Sequence, residues 1–363
     1  MNEFKDVKNI LVIKLRHIGD VLLTVPVFRA LRETFPGAQI SALVNSGTED
    51  VLAGNPLIDE IIVFDRSVKS TSLLIKCIKE FSFLSMVRSR NFDMTVDLTS
   101  GDRAAILSLV SGARYRIAYN HDGGFAGKRY LYTHRAEKDG SQHMVLQNFN
   151  MVKQFGMTTE DLTVDFFLPN AAKEFANDIF KKHSINKADT VVHIHPTSRW
   201  LFKCWRDEYM AQVINWLIEN NARVIVTSSP SGREMEKAVN ILSLVKDNSK
   251  LIDLCGKTTI KQLAAVAARC DLFIGVDSAP MHIAAALNTP VIALFGPSGE
   301  EQWRPWGEGH ATLIKKLGCK VCQKCESDGV EVRRCLEAIK PAEVIRLIST
   351  KLSEKTERSD DSK

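Results

Sequence analysis

Ile10 to Leu15 is a β-branched, apolar run followed without a linker by Arg16-His17-Ile18-Gly19-Asp20 and then by helically spaced apolar residues through Val27, Ala30 and Leu31. A strand buried on both faces reads as a near-continuous apolar run, whereas its crossover helix repeats apolar positions every three or four residues. The segment is expected to be a strand, a tight loop and a helix. Strand candidates at 40–44, 61–64 and 94–98 extend the scheme through the first half. Candidates at 190–194, 223–227, 272–275 and 291–295 repeat it in the second, separated by helical patterns at 209–219 and 260–268. Such alternation predicts an α/β chain built on parallel sheets.

A chain of 363 residues exceeds what one core usually organises, so two domains are expected, with a cleft between them. The joint falls near residue 170, where Pro169-Asn170 closes one block and a short amphipathic helix leads to the next strand, which gives domains over 1–170 and 171–340. Pro341 can open a last helix over 341–352, with Val344, Ile345, Leu347, Ile348 and Leu352 as its apolar face. Residues 353–363 hold charge and serine without a large apolar side chain, which predicts a mobile tail.

With 45% hydrophobic and 25% charged residues, neither wholesale disorder nor a fibrous repeat is compatible with this chain. Its formal charge of +5 is too mild for a dedicated nucleic-acid binder, and it suits phosphorylated ligands near an anionic surface. Ile10 to Ile13 is too short an apolar run for a signal peptide, and no stretch reaches the roughly 20 apolar residues of a membrane helix. A cytoplasmic protein with at most peripheral membrane contact is expected. Of eight cysteines, Cys77, Cys204, Cys255 and Cys270 are scattered and read as reduced thiols. Cys319, Cys322, Cys325 and Cys335 are clustered; they could gather around zinc or an iron–sulfur centre, or simply form a reduced loop cluster, and no metal is assigned.

Ligands of doubly wound sheets sit at the carboxyl ends of strands, so loops directly after strands have the strongest claim to function. Gly19-Asp20 holds that position in the first half, where the carboxylate is equally a candidate base or a helix cap. In the second half His195-Pro196-Thr197-Ser198-Arg199, with Lys203 and Trp205 beyond it, offers hydroxyls, backbone N–H groups and a cation to a diphosphate; the alternative is a capped polar loop. Val276-Asp277-Ser278-Ala279-Pro280-Met281-His282 leads from a strand into a small-residue helix whose amides can approach a pyrophosphate. Glu234 follows another strand and could accept both hydroxyl protons of a ribose, although it or Glu236 could equally stabilise a helix start. Among basic residues of the first half, Arg16, Arg88, Arg90, Arg103, Arg116, Lys128 and Arg129 could meet acceptor phosphates, although most read as solvated surface, with Arg16 and Arg103 best placed after strands. Neither half carries a Gly-x-Gly-x-x-Gly after its first strand. A Gly-x-x-x-x-Gly-Lys-Ser/Thr loop and a Gly-x-Ser-x-Gly elbow are also missing, so nicotinamide, ATPase and serine-hydrolase chemistry lose support.

Taken together, Ile18-Gly19-Asp20, the His195 to Arg199 segment with Lys203 and Trp205, Gly256-Lys257-Thr258 and the Val276 to His282 loop resemble the bacterial lipopolysaccharide core heptosyltransferases, glycosyltransferase family 9, across nearly the whole chain. The segment from His195 to Trp205 is most similar to the members that add the branch heptose. The resemblance implies a GT-B fold of two Rossmann-like, doubly wound domains facing across a cleft, the first for acceptor and the second for ADP-heptose. It implies Asp20 as catalytic base, Thr197, Ser198 and Lys203 as donor-phosphate contacts, Asp277, Ser278, Ala279 and His282 as the diphosphate loop, and Glu234 beside the ribose. Arg16, Gly19 and Arg103 fall on the acceptor side. The lipopolysaccharide inner core is the implied acceptor, with no cofactor and no metal. A base that takes the acceptor proton while its oxygen attacks opposite the departing diphosphate gives inversion in one displacement. Rival readings are a nucleotide-sugar epimerase of the same architecture, needing no acceptor, and a two-lobed sugar receptor, which the lack of an export signal disfavours.

Overall fold

Each apolar run becomes a parallel strand. The computed structural model describes residues 4–65, 73–120, 123–296, 298–317 and 334–360. In the first half β1 (Asn9–Lys14), β2 (Gln39–Asn45), β3 (Glu60–Phe64), β4 (Met94–Asp97), β5 (Tyr115–Tyr119) and β6 (His134–Ala136) form one sheet in the order β3-β2-β1-β4-β5-β6. In the second half β7 (Val191–His195), β8 (Arg223–Val226), β9 (Leu251–Asp253), β10 (Leu272–Val276), β11 (Val291–Phe295) and β12 (Ala311–Ile314) repeat the winding as β12-β11-β10-β7-β8-β9. Each sheet starts at its centre, runs to one edge, then returns and runs to the other. That order places a switch point between β1 and β4 in one sheet and between β7 and β10 in the other, where strand ends leave a crevice for a ligand.

The chain divides into two compact units, Met1–Phe167 and Leu168–Lys363. In the first, β1 is flanked by β2, with Asn9 opposite Gln39, and by β4, with Ile13 opposite Asp97. The helical pattern after β1 is two helices, Ile18–Leu22 and Val25–Thr34. Thr24 separates them: its hydroxyl donates to Val21 O at 2.6 Å, and Pro26 enters the first turn of the second helix, where its missing N–H has no partner to lose. That helix buries Val27, Phe28, Ala30 and Leu31, and with them Arg29, which donates to Asp161 O and Thr163 O at 2.9 and 2.8 Å.

The second unit opens with the helix Asn170–Lys182, whose Ala172, Ala176 and Phe180 pack on Val191, Ile225 and Ile252. On the other face of the sheet Val192, Ile194, Val224, Val226 and Ile274 meet the helix Asp207–Glu219 together with Val344 and Ile348 of the last helix. That last helix runs from Pro341 to Asp360, so the segment from Ser353, expected as a tail, extends it. Lys and Glu are good helix formers, and adding a residue to a formed helix fixes one residue for one hydrogen bond, which lets a docked helix continue past its last apolar contact. The unanticipated strands β5, β6, β9 and β12 lie at or next to the sheet edges, are short, and in β12 are only half-buried, so they lack the apolar run that marks the central strands.

Candidate active site

His195 ends β7, and the chain continues into Thr197 and Ser198, both buried. Thr197 Oγ1 donates to Glu234 Oε2 at 3.0 Å, and Ser231 Oγ donates to Glu234 Oε1 at 3.2 Å. Glu234 stands in the first turn of the helix Gly232–Ser243 after β8. Each of its oxygens accepts from a hydroxyl, so the side chain joins two loops instead of merely capping its helix. Lys203 ends a short 3-10 turn, Leu201–Lys203, and its Nζ lies 2.6 Å from Oδ2 of the buried Asp277, just past β10. The pair bridges the loops on either side of the second switch point.

Ser278 caps the helix Ala279–Ala286 in an extended conformation, and its Oγ is buried without a hydrogen-bond partner. Pro280 lies in the first turn, and Met281, Ile283, Ala284 and Ala285 are buried behind it. Asp277, paired with Lys203, directly precedes this N-cap, and the small side chains of Ser278 and Ala279 do not cover the first amides of the helix, where aligned N–H groups favour an anion. His282 is buried one turn in, its ring edge-on to Trp303 at 6.4 Å.

The first switch point carries a second cluster. Asp20 is the third residue of the helix Ile18–Leu22, half-exposed, and its Oδ2 accepts from His17 N at 3.3 Å. Capping is therefore present, and it leaves most of the acceptor positions of the carboxylate open. Gly19 has no positive φ, so what glycine supplies here is a bare, half-exposed backbone rather than left-handed freedom. Exposed Arg16 donates to Thr99 O at 3.0 Å, and Leu15 N donates to Thr99 Oγ1 at 2.8 Å, lacing the loops after β1 and β4.

Lys14, at the end of β1, is buried and donates to Leu98 O and Asn148 Oδ1, both at 3.0 Å. Burial pushes its ammonium down to about 8; the Asp20 and Asp97 carboxylates oppose the shift, and Arg16 and Lys138 add to it. Asp97 is fully buried at the end of β4, where it accepts from Tyr132 Oη at 2.5 Å and from the amides of Thr99 and Ser100 at 2.7 and 3.1 Å. Desolvation raises the pKa of Asp97 against those donors. Ser100 takes a left-handed φ of 58°, a local strain of the kind found at ligand sites. Lys14, Asp97 and Tyr132 were not anticipated; the available signal was a lone lysine in an otherwise apolar strand.

The family model for glycosyltransferase family 9 (heptosyltransferase) matches residues 81–330. The chain belongs to glycosyltransferase family 9. The lipopolysaccharide heptosyltransferase 3 of Escherichia coli K12 is 33% identical over 81% of this chain and 84% of that protein. Among solved structures, the family 9 glycosyltransferase of Veillonella parvula aligns with a TM-score of 0.81 at 22% identity, covering 98% of this chain and 99% of that one. The ADP-heptose lipopolysaccharide heptosyltransferase II of E. coli aligns with a TM-score of 0.77 at 19% identity, covering 96% and 99%. The fold is thus that of the GT-B heptosyltransferases, a doubly wound α/β unit twice over.

In this family 9 glycosyltransferase several sequence expectations change. Trp205, noted in sequence beyond the His195 to Arg199 segment, is buried in the core, and its Nε1 donates to Leu336 O at 3.0 Å and Ile339 O at 3.2 Å. Gly256 takes a φ of +66°, and an added Cβ would come within 2.8 Å of Met235 Sδ. Lys257 turns back to Asp253 at 2.7 Å, so Gly256-Lys257-Thr258 forms a structural turn. Arg103 is exposed but engaged, with Nη1 2.7 and 2.9 Å from the Glu80 oxygens and the guanidinium 4.4 Å over the Phe64 ring. Arg88 donates to Ser111 O, Arg116 to Leu131 O and Ala113 O, Lys128 to Ser100 O, and Arg90 pairs with Glu60, so these cations hold the fold together. Cys319, Cys322 and Cys325 lie outside the described residues, and Cys335 is half-buried. Among the described residues no group of three or more His, Cys, Asp or Glu side chains could hold a metal. Burial pushes the Cys204 and Cys255 thiols up to about 12, which makes them inert.

Proposed function

We propose that this glycosyltransferase transfers L-glycero-D-manno-heptose from ADP-heptose, with inversion, to the inner core of lipopolysaccharide, as the branch heptose added by a heptosyltransferase III. The observation that carries this reading is the convergence of Thr197, Ser198, Lys203, Glu234, Asp277 and Ser278 at the second switch point. There Lys203, the hydroxyl of Ser198, and the amides behind Ser278 and Ala279 take up the charge that grows on the departing diphosphate, while Thr197 spends its one proton on Glu234. Glu234 accepts from the ribose, and His282 lies behind the same loop. The 33% identity to a lipopolysaccharide heptosyltransferase 3 supports the acceptor class.

In the first unit Asp20 takes the proton of the acceptor hydroxyl as its oxygen bonds to the anomeric carbon and the bond to ADP breaks. Arg16 and Arg103, with the bare backbone of Gly19, face the phosphorylated core. The enzyme acts at the cytoplasmic face of the inner membrane. No helix among the described residues is long and apolar enough to cross a membrane, while Ile75, Ile78 and Phe81 of the helix Leu73–Ser89 stand exposed and support peripheral contact.

The test is incubation of the protein with ADP-heptose and defined truncated cores, followed by mass and linkage analysis. A heptose added at the branch position is expected; addition elsewhere on the inner core would correct the acceptor, and turnover of donor without acceptor would replace transfer by epimerisation. Asp20→Ala and Asp20→Asn are expected to lower kcat by about two to four powers of ten with donor affinity unchanged. Wild-type turnover by Asp20→Asn would remove the base.

A further inference from the structure

Behind Thr197 and Glu234 lies a buried row of hydrogen-bonding groups, His193, Thr227 and His195, that none of the roles above uses. Residues 193 and 195 of β7 share one face of the strand, and Thr227 follows β8 beside them. Thr227 Oγ1 lies 2.8 Å from His193 Nε2 and 2.9 Å from His195 Nδ1. His195 Nε2 lies 3.5 Å from Thr197 Oγ1, the longest link, and Thr197 Oγ1 lies 3.0 Å from Glu234 Oε2. His193, His195, Thr197 and Thr227 are all buried. We propose that His193, Thr227 and His195 are positioning residues, a one-way hydrogen-bond chain that fixes Thr197 and Glu234 for the ribose of the nucleotide donor. The geometry stands by itself; the consequence for binding rests on Glu234 as the ribose contact.

The direction follows from proton counting. A threonine hydroxyl has one proton, so between two imidazoles it can donate to only one and must accept from the other. His193 Nδ1 is buried and makes no hydrogen bond. A buried donor left unpaired is rarer than an unpaired acceptor, so the proton of His193 sits on Nε2 and is donated to Thr227. Thr227 then donates to His195 Nδ1, which leaves the His195 proton on Nε2, facing Thr197. Thr197 accepts it and gives its own proton to Glu234. Burial holds both rings neutral, pushing each imidazole down to about 3, and the His193 ring is fixed edge-on to Phe273 at 5.0 Å.

At the end of the chain Glu234 is an acceptor only. Oε2 is held by Thr197 and Oε1 by Ser231, which restrains rotation of the carboxylate and leaves each oxygen a further acceptor position for a ligand that donates twice, as a ribose diol does. A second fixed acceptor of this kind should distinguish ADP from 2′-deoxy-ADP.

Nitrogen NMR of the full chain labelled in histidine, with the two signals assigned by His193→Gln and His195→Gln, reads the chain directly. Both rings are expected neutral at pH 7 with the proton on Nε2. A proton on Nδ1 of either ring, or a charged ring, would overturn the proposal. In Thr227→Val, ADP affinity is expected to fall about tenfold and discrimination against 2′-deoxy-ADP to shrink, with kcat at saturating donor within about twofold of wild type and Thr227→Ser restoring both. A folded Thr227→Val that binds ADP like wild type, or loses kcat instead, would also overturn it; if that variant does not fold, the wild-type spectrum decides. Glu234→Gln separates the two readings: unchanged ADP affinity there would remove the ribose contact and the binding consequence with it, whereas wrong tautomers would remove the chain itself.

Discussion

Lys203 Nζ and Asp277 Oδ2 meet at 2.6 Å although 74 positions separate them in the chain. The pair ties the loop after β7 to the loop after β10 where the second sheet reverses its winding. Lys203→Met would leave the buried Asp277 without its cation, at a cost of about 1–3 kcal/mol in stability, and would weaken ADP binding about tenfold or more. Thermal unfolding and titration calorimetry measure the two effects. Lys203→Arg, which keeps the charge, should recover most of the binding; binding unaffected by Lys203→Met would take the lysine out of the donor site.

Lys14 provides a pH signature for the first unit. Its ammonium is pushed from the ordinary lysine range to about 8 by burial, so between pH 8 and the unfolded value of 10.5 the unfolded chain holds more protons than the folded one. Stability therefore rises with pH across that window, on the order of 3 kcal/mol in total from this group, and below pH 8 the full penalty is present. Urea unfolding of wild type against Lys14→Met at pH 7, 8, 9 and 10 should show this rise in wild type relative to the variant. Parallel curves would mean that Lys14 is solvated.

Trp205 separates core from site. Trp205→Phe keeps most of the ring volume but leaves Leu336 O and Ile339 O without the indole N–H, which should cost about 1–3 kcal/mol. The donor KM should stay within about twofold of wild type, since the indole is buried in the core with its N–H taken up by Leu336 O and Ile339 O. A large rise in donor KM without loss of stability would instead place Trp205 in the donor site.

Arg103 and Glu80 form an exposed pair, and such pairs contribute roughly 0–1 kcal/mol. Arg103→Ala should therefore barely change the melting temperature. If Arg103 meets the acceptor, the acceptor KM rises with the donor KM unchanged, and Glu80→Gln, which frees the guanidinium, shifts acceptor KM in the opposite direction. Equal kinetics in all three proteins would leave Arg103 as a surface tether.

The central strands were legible because burial on both faces demands apolar runs such as Ile10 to Ile13 and Val291 to Phe295, whatever surrounds them. Asp20, Thr197 and Asp277 were legible as candidates because a loop after such a strand is where a doubly wound sheet presents ligand-binding groups. The edge strands were not, since β12 is half-buried along its length and needs no apolar run. The partners of Trp205 and Arg116 were not legible either. An indole or a guanidinium near a phosphate motif carries the same letter whether it meets a ligand or a backbone carbonyl.

By itself the amino-acid sequence determined the alternation of strand and helix, the two-unit plan, and which loops carry carboxylates, hydroxyls and cations, because these follow from local periodicity and from residue chemistry. The tertiary structure alone decided the partners. It put Asp277 against Lys203, made Glu234 a link between two hydroxyls, sank Lys14 into the first switch point and lined up His193, Thr227 and His195 behind Thr197. Apart from the local Ser231–Glu234 contact, these join residues on different strands or loops, and their existence depends on sheet order and register, which local sequence does not encode.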